Sequence, residues 1–109
     1  NNMANGDITK EIEYDKIEVV STWNIQVRQA TKIMEELADG SKKELTRSFH
    51  RHVLHPFLSI KDDDGKWTHT ATDISGEDAS VQAIANAAWS DEVKNKYKTW
   101  MESQKLPGE

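Results

Sequence analysis

The sequence predicts an α+β fold: antiparallel β hairpins with long N-terminal strands, followed by a C-terminal helix or helix pair packed on one face. Three observations predict it. Apolar and polar residues alternate with period two from about Asp15 to Ile33. Asp39-Gly40 and the run Asp62–Gly65 punctuate β-prone stretches as hairpin turns do. From Val81 onward the apolar spacing changes to i, i+3, i+4, i+7, the stripe of an amphipathic helix.

The elements follow in order. Ile17, Val19, Trp23, Ile25 and Val27 fall on one side of a long half-buried strand, with a bulge or bend expected at Val20-Ser21. Glycine adopts positive φ without steric cost, so Asp39-Gly40 turns the chain into a second strand over Glu44–His55. That run alternates less cleanly and also fits a helix, because Leu45, Phe49 and Val53 are four apart; it is read as a strand. Pro56 ends it, lacking the ladder donor. Phe57–Ile60 and Trp67–Thr72 form the second hairpin around a polar loop. Ser75, with Asp78 three residues on, reads as an N-cap resembling a capping box. Val81, Ile84, Ala85 and Ala88 make one stripe; Val93, Tyr97, Trp100 and Met101 make another. Ser90-Asp91-Glu92 between them is either a second cap or a kink. Residues 1–13 are expected to be frayed, 14–105 to form a single α+β domain, and 106–109 to be a loose tail. Met3 reads as the native start, and no signal-peptide h-region follows it.

Charge narrows the partners. The 109 residues carry a net charge of −5, yet Lys42, Lys43, Arg47 and Arg51 against Glu44 alone make residues 42–55 a ribbon of +3. A nucleic-acid binder carries a larger basic surplus, so nucleic acid is not the expected partner. No apolar run reaches the roughly 20 residues of a membrane span. The absence of cysteine excludes disulfides and thiolate metal sites.

Candidate chemistry is sparse. His50 and His52 project to the same side of a strand and could reach one metal ion, but two imidazoles fill half a tetrahedral site. No metal and no cofactor are expected. Asp62-Asp63-Asp64-Gly65 fails as an EF-hand loop, because Ile60 and Ala71 occupy the positions of its first and last ligands. No Gly-x-Ser-x-Gly elbow and no Gly-rich phosphate loop occur, so an enzyme is not expected. Of four tryptophans, Trp23, Trp89 and Trp100 suit the core and Trp67 a surface. Arginine and aromatic residues concentrate where proteins bind proteins. Lys43, Arg47, Arg51, His50 and His52, together with Trp67, are therefore the expected partner-binding residues.

A resemblance adds context. Gly6-Asp7-Ile8, Tyr14-Asp15-Lys16-Ile17-Glu18-Val19-Val20 and Trp23-Asn24-Ile25-Gln26-Val27-Arg28 resemble the start of small uncharacterised proteins encoded by marine bacteriophages. Arg47-Ser48-Phe49-His50-Arg51-His52-Val53-Leu54, Asp73-Ile74-Ser75-Gly76-Glu77 and the stretch from Val81 to Trp89 continue it, over roughly Gly6–Tyr97. The resemblance carries no activity. It implies a phage protein, located in the virion or in the host cytoplasm. The expected function is a non-enzymatic structural or virion-associated protein, an oligomer that contacts itself and other phage proteins. The alternative is an intracellular effector that binds a host or defence protein, or an acidic partner, through Lys42–His55.

Overall fold

A computed structural model of the chain describes residues 6–20 and 23–104. The elements run β1 (Asp7–Val19), β2 (Ile25–Glu36), β3 (Lys42–Leu54), β4 (Phe57–Lys61), β5 (Trp67–Ala71), α1 (Ala79–Ala88) and α2 (Asp91–Ser103). The fold is α+β, with an antiparallel sheet ordered β1-β2-β3, a separate β4-β5 hairpin and two C-terminal helices. These residues cluster into two compact units, where the sequence reads as one domain over 14–105. One unit is Asn1–Ile17 with Val27–His52; the other is Glu18–Gln26 with Val53–Glu109.

Two turns follow the glycine logic. Gly40 and Gly65 sit at φ +88° and +82°, where a side chain would strain the backbone. Leu37 N–H donates to Ser41 O at 2.7 Å to close the β2-β3 hairpin, and Asp62 N–H donates to Lys66 O at 2.9 Å to close β4-β5. Asp62 Oδ1 also accepts from the amides of Asp64 (2.9 Å) and Lys66 (2.8 Å), which occupies that carboxylate with its own loop.

The N-terminal half departs from the sequence reading. The long strand from Asp15 to Ile33 is two strands, and the bend expected at Val20-Ser21 is a reversal. Ser21 itself lies outside the described residues. Val20 N–H donates to Asn24 O (2.9 Å) and Trp23 N–H to Val20 O (2.7 Å). Trp23 takes a left-handed φ of +62°, which costs roughly 1–2 kcal/mol for a residue with a Cβ. Tertiary contacts within the same unit offset that strain: the Trp23 carbonyl accepts a 2.9 Å bond from Trp89 Nε1, and its ring meets Tyr97 edge-on at 6.2 Å. β1 begins at Asp7, so residues 7–13, expected to be frayed, are strand. Its start is tied to the end of β2 by Gly6 N–H donating to Glu36 O at 2.9 Å.

The unit containing the helices holds a core of Ile25, Phe57, Val81, Ala85, Trp89 and Tyr97; in the other, Val27 and Ala30 are buried. α2 packs on the hairpin face formed by Phe57, Ser59 and His69. Tyr97 stacks on Phe57 at 6.3 Å, and the Lys98 ammonium lies 4.7 Å from the Phe57 ring centroid. Trp100, expected in the core, is 39% exposed, because the face of α2 that meets the hairpin is centred on Tyr97.

The helix caps are partly as the sequence implies. The N-cap of α1 is Asp78, accepting from Ser80 N–H at 3.0 Å, and not Ser75. Residues 74–77 instead form a turn in which Glu77 N–H donates to Ile74 O. The Ser80 hydroxyl bond holds the Asp78 carboxyl below its ordinary value. The Ser90-Asp91-Glu92 segment is a second cap: Ser90 Oγ accepts from Val93 N–H at 3.2 Å and starts α2. Ser90→Ala should cost about 1 kcal/mol, or about 4–8 °C in a thermal melt followed by circular dichroism.

Candidate interaction surface

Strand order makes β3 an edge of the three-stranded sheet. A strand of β-branched and aromatic residues that lies at an edge exposes both its side chains and one row of backbone groups. From Lys42 to Arg51 every side chain of β3 is exposed. Leu45, Phe49 and Val53, the apolar row read from the sequence, are 46%, 44% and 48% exposed.

One face of this sheet is an ordered array of charge. Arg28 donates to both Asp15 carboxylate oxygens, at 3.0 and 2.8 Å. Its guanidinium carbon lies 4.4 Å from the centre of the Phe49 ring, and that of Arg51 lies 5.7 Å from it. Lys32 pairs with Glu13, Lys42 with Glu11 and Arg47 with Glu44. The Arg28 bonds hold the Asp15 carboxyl below its ordinary value, and the Asp15 bonds raise Arg28. In the same way the Arg47 guanidinium holds Glu44 down. A carboxyl with a depressed folded-state pKa stabilises above its unfolded value, and that stability is lost as pH falls through the folded value. Asp15→Asn should therefore flatten the acid limb of a pH–melting profile and leave the profile above neutrality parallel to wild type.

The expected partner-binding residues divide between the two units. Lys43, Arg47 and Arg51 lie on β3, with His50 and His52 alternating between them and their rings 6.2 Å apart. The pairing of the two imidazoles on one side of a strand is thus realised. Among the described residues, no three His, Asp or Glu side chains converge as a metal site requires. Trp67 belongs to the other unit, where its ring stacks on His69 at 5.9 Å, with an interplanar angle of 1°.

That stack belongs to a constellation the sequence reading missed. His69 Nε2 lies 2.7 Å from Glu102 Oε2, and Nδ1 lies 2.7 Å from Ser59 Oγ. In the neutral ring Nε2–H donates to the carboxylate, leaving Nδ1 to accept the Ser59 proton. Ser59 and His69 are opposite one another in the β4-β5 register. The bonds Asp62 N–H to Lys66 O and Thr72 N–H to Pro56 O bracket the ladder. They make Ser59/His69 a non-hydrogen-bonded pair, whose side chains approach closely while their amides point to opposite outer edges. Those two amides do not converge on one point, and the array bonds Glu102 of α2 to the hairpin. Period-two alternation in Trp67–Ala71 places Trp67 and His69 on one face, but nothing local pairs His69 with Glu102.

A shallow groove of about 410 Å³ is lined by Trp23, Trp100, Thr99, Asn95, Lys96 and Ser103. Among the described residues no helix is long and apolar enough to cross a membrane. Comparison with protein-family models, curated proteins and solved structures gave no match to this chain.

Proposed function

We propose that this chain is a non-enzymatic phage structural or virion-associated protein that works as a self-associating interaction module. One observation carries the reading: β3 is a 13-residue edge strand whose apolar row Leu45, Phe49 and Val53 remains about half exposed beside Arg47 and Arg51. An exposed edge of that length is a template for strand addition, and the charges β3 carries restrict that addition to an edge of opposite sign. Apolar and arginine side chains together are the composition of protein interfaces. The Ser59–His69–Glu102 array is read as a fastening of α2 to the β4-β5 hairpin. Placement in a phage particle rests on the resemblance of Gly6–Tyr97 to proteins of marine phages.

Light scattering on a size-exclusion column tests the association. The expected result is a defined multiple of the chain mass; a monomer at every concentration overturns it. Mass spectrometry of purified particles tests the placement. The protein should be a constituent of the particle, and its presence only in infected-cell lysate would favour the effector reading through Lys42–His55.

A further inference from the structure

The two edges of the sheet are matched opposites. β1 and β3 are each 13 residues long. β1 carries five acids against two bases, net −3, while β3 carries four bases against one acid, net +3. β2, between them, carries two of each and is neutral. The sheet is therefore electrically polar from one edge to the other. The polarity continues on the charged face. Glu11, Glu13 and Asp15 form its acidic row on β1, with Lys32 and Arg28 of β2 bonded to Glu13 and Asp15. Arg47 and Arg51 form the basic row on β3 and flank Phe49, over which Arg28 lies. The acids of β1 thus meet cations on their inner side, Glu11 through Lys42 of β3 and Glu13 and Asp15 through Lys32 and Arg28 of β2, whereas on β3 Glu44 is the lone acid, bonded to Arg47, and the strand keeps its net +3.

From this we infer that copies of the chain join head to tail, β3 of one copy pairing with β1 of the next. The inference rests on the self-association proposed above and specifies its interface. A symmetric junction of β3 with β3 would set +3 against +3, and β1 with β1 would set −3 against −3. The β3-β1 junction alone places the acidic row beside the basic one, and like charges across strands are destabilising. Because β1 and β3 flank an antiparallel β2, they run in the same direction, so the junction formed by rotation about an axis along the strands is a parallel pair. Such a contact is heterologous. It closes into a ring if the rotation closes and otherwise extends as a filament.

Complementary charge reversal tests the junction. Arg47→Glu/Arg51→Glu destroys the basic edge and leaves β1 intact; Glu11→Lys/Glu13→Lys does the converse. Each variant alone should elute as a monomer with a native circular dichroism spectrum. Mixed, they should assemble again, because each wild-type edge meets its opposite and the two reversed edges are also opposite in sign. A symmetric interface cannot give that pattern: a β3-β3 junction would ignore the β1 substitutions, and a β1-β1 junction those on β3. Should the β1 variant fold poorly, the salt dependence of the wild-type protein decides. Assembly driven by these edges weakens by about tenfold or more between low salt and ~0.5 M NaCl. Oligomers that persist in the β3 variant, or that ignore salt, overturn the head-to-tail junction and leave self-association standing. A monomeric wild type overturns both.

Discussion

Tyr97→Ala is expected to remove about 3–5 kcal/mol of folding stability, the loss typical of deleting a buried aromatic ring. Tyr97 is the hub of α2. Its ring meets Trp23 at 6.2 Å, Phe57 at 6.3 Å and Trp100 at 6.1 Å. Small domains have roughly 5–15 kcal/mol in total, so the variant should sit near its unfolding threshold. Urea denaturation followed by tryptophan fluorescence reads the effect directly. Tyr97→Phe keeps the ring and should stay within about 1 kcal/mol of wild type; a large loss there would place the importance of Tyr97 in its hydroxyl and not in packing. Burial pushes the Tyr97 phenol above its ordinary 10.0. A raised value means that the folded state favours the neutral phenol, so wild type loses stability as pH rises through the folded value. Tyr97→Phe should lack that alkaline loss.

The second large effect is expected at Trp89. Its ring is buried at the C-terminal end of α1, and Nε1 reaches the Trp23 carbonyl at 2.9 Å. Trp89→Ala should cost about 3–5 kcal/mol through lost packing. Trp89→Phe separates the two contributions, keeping most of the apolar body while leaving the Trp23 carbonyl without its donor. About 1–2 kcal/mol is expected for that change. The loss should also appear as faster amide exchange at the β1-β2 turn, because the bond helps hold Trp23 in its left-handed conformation. Equal exchange rates in the two proteins would show that the turn holds itself.

Much of the fold was legible because its signals are local. Gly40 and Gly65 have dihedral requirements that few other residues meet, and both hairpins fall where they stand. The segment Ser90-Asp91-Glu92, read as either a second cap or a kink, is a cap: the Ser90 hydroxyl accepts from the Val93 amide. Periodicity likewise placed β3, read as Glu44–His55 and observed as Lys42–Leu54, and the apolar stripes of the helical region, while leaving one bent helix or two open. Of the interaction surface, the ribbon Lys42–His55 was readable as a run of charge, and its side chains from Lys42 to Arg51 are exposed.

Tertiary structure decided the remainder. The turn at Val20–Asn24 has no Gly or Pro. The alternating row Ile17, Val19, Trp23, Ile25, Val27 passes through it without a change of phase, so period alone reads one strand where there are two. Trp23 tolerates φ +62° through contacts with Tyr97 and Trp89, 74 and 66 positions away. Residues 7–13 of β1 looked frayed because they are polar and acidic; they are strand because β2 supplies their ladder and Lys32 of β2 pairs with Glu13. His69 meets Glu102 across 33 positions, and no spacing rule links them. By itself the sequence determined those features whose free energy lies within a few consecutive residues: turns, caps and periodic faces. Which strands lie at the edges, and so which charges face solvent, was settled only by the order in which the chain returns upon itself.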